Sequence, residues 1–419
     1  MTIATPTPSI EDVLATGLRN RWYAVCPSVM VPPGGLRRVM CLGEPWVVFR
    51  TADGSIHILE DRCPHRGAPL SLGAHLGDRI GCAYHGVEVD ASGTVVCVPG
   101  MPGCRMEGRQ LVRSLPVQEM AGAVLAWFGD RLHPEPGSLV MPEPLTDPEV
   151  SSFLCYAEWR VPWRFALENV LDPMHGAFLH RKSHSMYAGS KTASFEIVET
   201  DRGFLFQKTN QRNVNFDWAE YASTGVDWLH LAIPYPPTAG PGGPFGVVGM
   251  VTPASERMTK VFFWRYRRVS GWQREVWRFL YRTTLEERHW EVLEQDRIML
   301  EAMAPDADAH EHLYQHDLGV ARIRRLIKAE AEQQVTELVA AGIGTGRGRR
   351  VRVAPGSRSE GSASAATVPD QGDLTTNTRD AGTAAPASEV ATATVGTAEQ
   401  DATRVDPVRR PADSAVERT

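Results

Sequence analysis

Cys63-Pro-His65 and Cys82-Ala-Tyr-His85 each carry one thiol and one imidazole on a short segment, with sixteen residues between the two segments. That donor set suits a [2Fe–2S] cluster in which two thiolates hold one iron and two imidazoles hold the other. Neutral imidazoles in place of charged thiolates raise the reduction potential above that of an all-cysteine cluster, so the chemistry implied is single-electron transfer. A structural zinc ion accepts the same donor types. Zinc modules, however, separate a Cys-x2-4-Cys pair from a His-x3-5-His pair, whereas here each pair is mixed.

A second constellation lies downstream in Glu168-Asn-Val-Leu-Asp172-Pro-Met-His175-Gly-Ala-Phe-Leu-His180. Two histidines near a carboxylate fit the facial triad of non-haem Fe(II) sites, which leaves positions open for O2 and substrate. Asp172 and His175, at i and i+3, share a face if the segment is helical, while His180 falls about 140° away on a regular helix. Gly176 and the need for the two imidazoles to converge predict a distorted or broken helix between them, a π-type turn being one form of it. A His-x4-His pair alone is weak evidence, and unliganded surface or core histidines are the better reading of it taken by itself. The electron-transfer cluster upstream turns the balance toward iron.

The third ligand is sought on the helix expected over Thr284 to Met303. At about 100° per residue, Leu285, His289, Val292, Leu293, Met299, Leu300 and Met303 gather around Asp296, while Glu287, Glu291, Glu294 and Glu301 face away. A carboxylate at the centre of an apolar face is costly unless it is paired or metal-bound. Asp296 is therefore the candidate ligand, with a buried salt bridge to Arg164 or Arg282 as the other reading. His289 shares the face and is the reserve candidate, read as a packed or supporting residue.

Strand patterns surround the first two segments. Val47 to Arg50 and Ser55 to Glu60 read as strands joined by the Ala52-Asp-Gly54 turn, and Val87 to Asp90 and Thr94 to Val98 as another hairpin around Ala91-Ser-Gly93. Two loops at the tips of a small β-domain then close on the cluster from opposite sides.

Cys63-Pro-His-Arg-Gly67, Cys82-Ala-Tyr-His-Gly86 and Val98-Pro99 resemble the Rieske domain of ring-hydroxylating oxygenases. Respiratory Rieske subunits carry an extra cysteine in each loop, where this chain has Gly67-Ala68 and Ala83-Tyr84. Val87 is a departure, since the oxygenases often have tryptophan there. Asp-x2-His-x4-His after such a domain is similar to the iron motif of the oxygenase α subunit, in which a carboxylate in a Gln-Asp context completes the triad. The resemblance spans about residues 20 to 340. It implies an α+β protein: an all-β Rieske domain over residues 20–145, an α+β catalytic domain with an antiparallel sheet over 146–341, and a tail over 346–419.

It further implies that Cys63, His65, Cys82 and His85 bind the cluster and that His175, His180 and Asp296 bind mononuclear Fe(II). Asp172 would link the iron ligand to His85 of a neighbouring subunit in a homotrimer, with Asn169 a pocket candidate. Arg66 and Tyr84 stand beside the cluster ligands, where they could tune its potential. Electrons would come from NAD(P)H through a separate reductase, with a ferredoxin as an optional carrier, because no nucleotide-binding glycine fingerprint follows a strand here. A β subunit is compatible with this picture. The reaction would be dioxygenation, monooxygenation or oxidative O- or N-demethylation of an aromatic or other apolar compound. A non-catalytic electron carrier whose second domain only docks partners is the rival reading.

The 419 residues exceed what a lone cluster carrier needs. Net charge is −6 without a basic block, which argues against a nucleic-acid partner. Met1 to Arg19 lacks a signal-peptide core, and the apolar stretch at Ala121 to Phe128 is too short for a membrane span, so a cytoplasmic location is expected. Cys26, Cys41, Cys97, Cys104 and Cys155 show no disulfide framework and read as packed thiols. Proline-rich segments at 134–137 and 141–144 mark a boundary near residue 145. The segment 346–419 contains no Phe, Trp, Tyr or Ile and balances ten arginines with ten acidic residues, a composition that reads as disordered. Phe165, Met174, Phe178 and Trp218 are candidates for an apolar pocket, bordered by the Gly240-Pro-Gly-Gly-Pro244 loop, while His184 reads as solvated.

Overall fold

A computed structural model describes residues 8–183, 186, 190–234 and 244–343. His184, the loop residues 240–243 and the tail 346–419 lie outside the described residues. Helix α1 (Ile10–Thr16) opens the fold behind a capping box in which the Ser9 hydroxyl accepts from the Asp12 N–H and the Asp12 carboxylate accepts from the Ser9 N–H.

Eleven short strands follow. They are β1 (Trp22–Pro27), β2 (Leu36–Cys41), β3 (Glu44–Arg50), β4 (Ile56–Glu60), β5 (Ala74–His75), β6 (Arg79–Gly81), β7 (Glu88–Asp90), β8 (Val95–Cys97), β9 (Ser114–Leu115), β10 (Val117–Met120) and β11 (Ala123–Trp127). They form three small sheets ordered β1-β11-β10, β2-β3-β4-β9 and β5-β6-β7-β8. The two hairpins expected around the cysteine–histidine segments are present as β3–β4 and β7–β8. Val87, the departure from tryptophan, is buried with Val47, Leu59, Ile80 and Val89 in the core between these sheets.

Next come β12 (Val150–Trp159), α2 (Trp163–Leu171) and the single-turn helix α3 (Gly176–Leu179). Six further strands complete a sheet with β12: β13 (Phe195–Thr200), β14 (Gly203–Lys208), β15 (Trp218–Ser223), β16 (Asp227–Ile233), β17 (Phe245–Ser255) and β18 (Met258–Arg268). Every neighbour in this sheet, ordered β12-β18-β17-β16-β15-β14-β13, is antiparallel. Helix α4 (Gly271–Leu280) passes through a π turn at Tyr281–Leu285 into α5 (Glu286–Glu301), and α6 (Ala307–His310) and α7 (Leu318–Ala340) close the described fold. No described helix is long and apolar enough to cross a membrane.

The largest core lies between this sheet and helices α1, α2, α5 and α7, joining Val13, Ala166, Val170, Leu293 and Ile327 to strand residues such as Phe206 and Phe263. A bidentate pair pins α2 to α7: the Arg324 guanidinium donates to both Glu168 oxygens at 2.7 and 2.6 Å.

The small sheets are fused to the large one. Trp22, Leu125 and Trp127 share a core with Trp228, Met250 and Trp264. The buried Lys260 amine on β18 donates to the Val25 carbonyl at 2.9 Å, and the Thr252 hydroxyl on β17 donates to the Ala24 carbonyl at 2.8 Å.

Candidate functional site

The two cysteine–histidine loops are built alike. In the first, the Cys63 N–H donates to the Ala68 carbonyl and the Cys63 carbonyl accepts from the Gly67 N–H; in the second, Cys82 makes the same pair with Val87 and Gly86. Each loop turns at a glycine with positive φ, Gly67 at 76° and Gly86 at 71°, which other residues adopt at a steric cost. The repeated turn buries both thiols and leaves both imidazoles at the surface.

The loops face one another, with the His65 and His85 ring centroids 4.6 Å apart. Burial raises the Cys63 thiol above its ordinary pKa, so a positive metal would be needed to hold it as thiolate. Arg66 and Tyr84, the candidates for tuning, contact one another at 3.4 Å on the exposed rim, and the Tyr84 ring lies 3.9 Å from that of His85.

The second constellation converges from two distant segments. The His180 and His175 Nε2 atoms lie 3.2 and 3.5 Å from Asp296 Oδ1. All three donors fall within 4.8 Å of one another, and among the described residues they are the group of three or more such donors that meets this spacing.

Asp296 Oδ1 is buried without a hydrogen-bond donor, an expensive arrangement for a carboxylate unless a cation completes it. A cation between the three donors removes that penalty, so the residues fit a mononuclear metal. Neither alternative partner reaches Asp296: Arg164 contacts Asp308 at 3.8 Å, and Arg282 is exposed.

The local backbone differs from the expectation of a helix distorted at Gly176. Helix α2 ends at Leu171, and Asp172 is extended at φ −86°, ψ 110°. The cause is Pro173, whose ring excludes the residue before it from the helical region. Asp172 and His175 therefore do not share a helix face. Instead the Asp172 carboxylate accepts from the Met174 and His175 N–H groups at 2.7 and 3.3 Å, and α3 is a single turn flanked by His175 and His180. The π turn occurs at Tyr281–Leu285, ahead of α5, rather than between the histidines.

A hydrogen bond orients the His180 imidazole, and a looser charge contact faces that of His175. His180 Nδ1 lies 2.9 Å from Gln295 Oε1, and His175 Nδ1 lies 3.5 Å from Asp172 Oδ2, which leaves both Nε2 atoms for a metal. Burial by itself would lower the His175 pKa, but the Asp172 and Asp296 carboxylates carry it above the ordinary value. Burial would likewise raise Asp172, yet His175 and the two N–H groups hold it below. The Asp172 side chain stays 30% exposed, enough for a group from outside the chain to reach it. Asn169 contributes its carbonyl as an acceptor for the Asp172 N–H.

On α5 the buried residues are His289, Leu293, Asp296 and Leu300, whereas Met299 and Met303, placed on the same face by the wheel, are exposed. His289 is outside the metal group and packs against Phe245 and Tyr281. Of the pocket candidates, Met174 is buried and Phe165 and Trp218 are half-buried, while Phe178 is 53% exposed beneath Lys191 and belongs to the surface. Gln295 and Glu168 were not expected as supports. Gln295 has a signal in sequence, since it precedes Asp296 directly; Glu168 depends on Arg324, 156 residues away.

Residues 21–116 match the Rieske [2Fe–2S] domain, and residues 159–333 match the vanillate O-demethylase oxygenase C-terminal domain. A chloroplastic chlorophyllide a oxygenase of Chlamydomonas reinhardtii is 39% identical over 168 residues, covering 39% of this chain and 25% of the relative. The vanillate O-demethylase oxygenase subunit of a Pseudomonas species is 32% identical over 165 residues, covering 39% of this chain and 46% of the relative. The chain thus matches less than half the length of either. The terminal oxygenase of carbazole 1,9a-dioxygenase from Nocardioides aromaticivorans shares the fold, with a TM-score of 0.64 at 20% identity over 77% of this chain and 96% of the other. With the paired loops of a Rieske cluster on one set of sheets and a two-histidine, one-carboxylate group on the next, the chain joins a Rieske [2Fe–2S] domain to an oxygenase C-terminal domain of the vanillate O-demethylase type, a pair whose cofactors are a [2Fe–2S] cluster and a mononuclear iron.

Proposed function

We propose that this chain is a terminal oxygenase that accepts electrons from a partner and oxygenates an aromatic or other apolar compound. The observation that carries this reading is the presence, in one chain, of the paired Cys63–His65 and Cys82–His85 loops and the buried His175–His180–Asp296 group with its orphaned oxygen. Cys63 and Cys82 would hold one cluster iron, His65 and His85 the other, and His175, His180 and Asp296 the mononuclear iron. When bound, the cluster supplies electrons one at a time and the iron supplies O2 activation.

The chain's own residues do the positioning. Gln295 and Asp172 hold the imidazoles with Nε2 inward, and the surrounding core keeps bulk water from the carboxylate. Asp172 is also the proposed contact to His85 of a neighbouring copy, in a homotrimer, with an NAD(P)H-dependent reductase and a ferredoxin upstream. Exposed His65 and His85 on the loop tips suit such electron transfer between proteins. Oxidative demethylation is the second reading, favoured by the match of residues 159–333 to the vanillate O-demethylase oxygenase domain.

Turnover with a surrogate reductase under labelled O2, alongside iron analysis, tests the assignment. Three irons per chain and labelled oxygen in the product, or in the aldehyde released by demethylation, are expected. Two irons per chain with no substrate oxidation would establish the electron-carrier alternative.

A further inference from the structure

The two imidazoles proposed to hold iron are not fixed alike. His180 is hydrogen-bonded to Gln295, whereas His175 Nδ1 is buried without a hydrogen bond, 3.5 Å from Asp172 Oδ2. A charge contact of that length attracts the ring without fixing its plane. The Phe216 ring supplies the missing constraint: it meets His175 edge to face, with centroids 6.1 Å apart and 80° between the planes, a favoured geometry for aromatic pairs. The same buried ring covers Gly176, where a Cβ would lie 3.7 Å from it.

Phe216 belongs to the 209–217 loop between β14 and β15, and that loop is folded around a buried ion pair. Lys208, the last residue of β14, is 0% exposed, a rare state for lysine unless it is paired. Its ammonium lies 3.8 Å from the Asp217 carboxylate, which is buried too, and donates to Asn215 Oδ1 at 3.3 Å. Gln211 donates to both of these side chains, and Asp217 also accepts from the Val214 N–H at 2.9 Å. Asn215 in turn donates to the Met186 carbonyl at 3.3 Å, which ties the loop to the chain just beyond the iron motif. Phe216 is thus flanked in sequence by the two residues that the ammonium draws inward. Asp172 lies close enough for its charge to act on the same ammonium.

We propose that Lys208 is a positioning residue of the iron site: by holding Asn215 and Asp217 inside the fold, it sets the Phe216 ring against His175 and so fixes the plane of that imidazole. This rests on the iron-dependent oxygenase reading of the same site and adds to it a support that acts through packing. A satisfied buried polar network specifies one arrangement, and a side chain anchored between two of its members shares that order. Without the ammonium, Asp217 is a stranded buried charge, the loop loosens, and His175 keeps its Nε2 but loses its aim.

Iron retention against a chelator, measured on anaerobically loaded protein, tests this without turnover. A second readout is the electron paramagnetic resonance line shape of the ferrous site with nitric oxide, recorded with the cluster oxidised and silent. Two variants are compared: Phe216→Leu, and Lys208→Met combined with Asp217→Asn, which leaves no stranded charge. Each is expected to weaken retention about tenfold, as loss of an outer support does, and to change the line shape in the same way. All three substitutions together should lose no more than Phe216→Leu alone, because both variants act by one route. Additive losses of about a hundredfold, or wild-type retention and line shape in either variant, overturn the proposal, whatever happens to the melting temperature. If the Lys208→Met and Asp217→Asn protein cannot be isolated with its cluster, Asp217→Asn alone takes its place, with a smaller loss expected and an unchanged site refuting the proposal. A wild type that retains no third iron would overturn the iron reading and this proposal together, whereas iron retained without oxygenation counts against the oxygenase reading alone.

Discussion

At the scale of single residues, His175, His180 and Asp296, the donors proposed to hold iron, differ in how they are supported, and that difference is measurable. Asp296 supplies both the charge and an oxygen otherwise left orphaned. Asp296→Ala is expected to empty the mononuclear site while the visible spectrum of the cluster persists, since the cluster loops belong to separate sheets. A folded variant with its full third iron would make Asp296 a structural residue. Gln295 touches only the far nitrogen of His180. Gln295→Leu should therefore weaken iron retention about 10- to 100-fold, the usual cost of an outer partner, without abolishing it; competition with a chelator gives the ratio, and unchanged retention would show that His180 is held by packing alone. In the cluster, Cys63→Ala should remove the Rieske absorbance and electron paramagnetic resonance signal altogether, because one iron keeps a single thiolate. A normal signal in that variant would rule out Cys63 as a ligand.

At the scale of elements, Pro173 sets the geometry of the iron motif. By forcing Asp172 out of the helix, it frees that carboxylate to accept from the N–H groups ahead of α3 and so to face the His175 ring. Pro173→Ala removes the restriction and allows α2 to continue. The expected result is a loss of iron affinity of about tenfold with the cluster spectrum unchanged, comparable to losing an outer contact; iron analysis after dialysis decides it, and wild-type occupancy would mean that the surrounding core alone fixes the break. This element also shows what sequence reasoning can and cannot read. The hairpins flanking the cluster loops were legible because alternation and turn glycines are local signals, and the burial of Asp296 was legible because a helix wheel needs only its own helix. The break falls ahead of Pro173 and not at Gly176, because the restriction that ends α2 acts on the residue before a proline, here Asp172. The wheel also puts Met299 and Met303 inside, whereas α5 ends at Glu301 and both side chains are exposed. Glu168 with Arg324, and Lys260 with Val25, were illegible for a different reason: their partners lie 156 and 235 residues away, and no periodicity encodes such contacts.

At the scale of the whole molecule, the proposed electron route through Asp172 makes activity a property of the assembly. His85→Ala disables the electron source of its own chain, whereas a chain with both His175→Ala and His180→Ala lacks the mononuclear iron site; neither should turn over alone. Co-assembled, they should recover part of wild-type activity, up to about a quarter if only interfaces joining an intact cluster to an intact iron site operate. Verified mixed trimers no more active than the pure variants would eliminate the route between subunits.

The fusion of the small sheets to the large one bears on how such a chain can be recombined. Trp22, Leu125 and Trp127 are apolar surface for one half only because Trp228, Met250 and Trp264 cover them from the other, and the Lys260 amine is satisfied by a carbonyl across the same seam. A hybrid that takes its cluster half from another oxygenase, spliced near residue 145, inherits two halves of a jigsaw cut from different pictures. Its failure would first show as lost solubility rather than altered substrate choice. A workable graft must carry the facing residues of β16, β17 and β18 along with the cluster sheets, so the portable module is defined by contact across the seam and not by position along the chain.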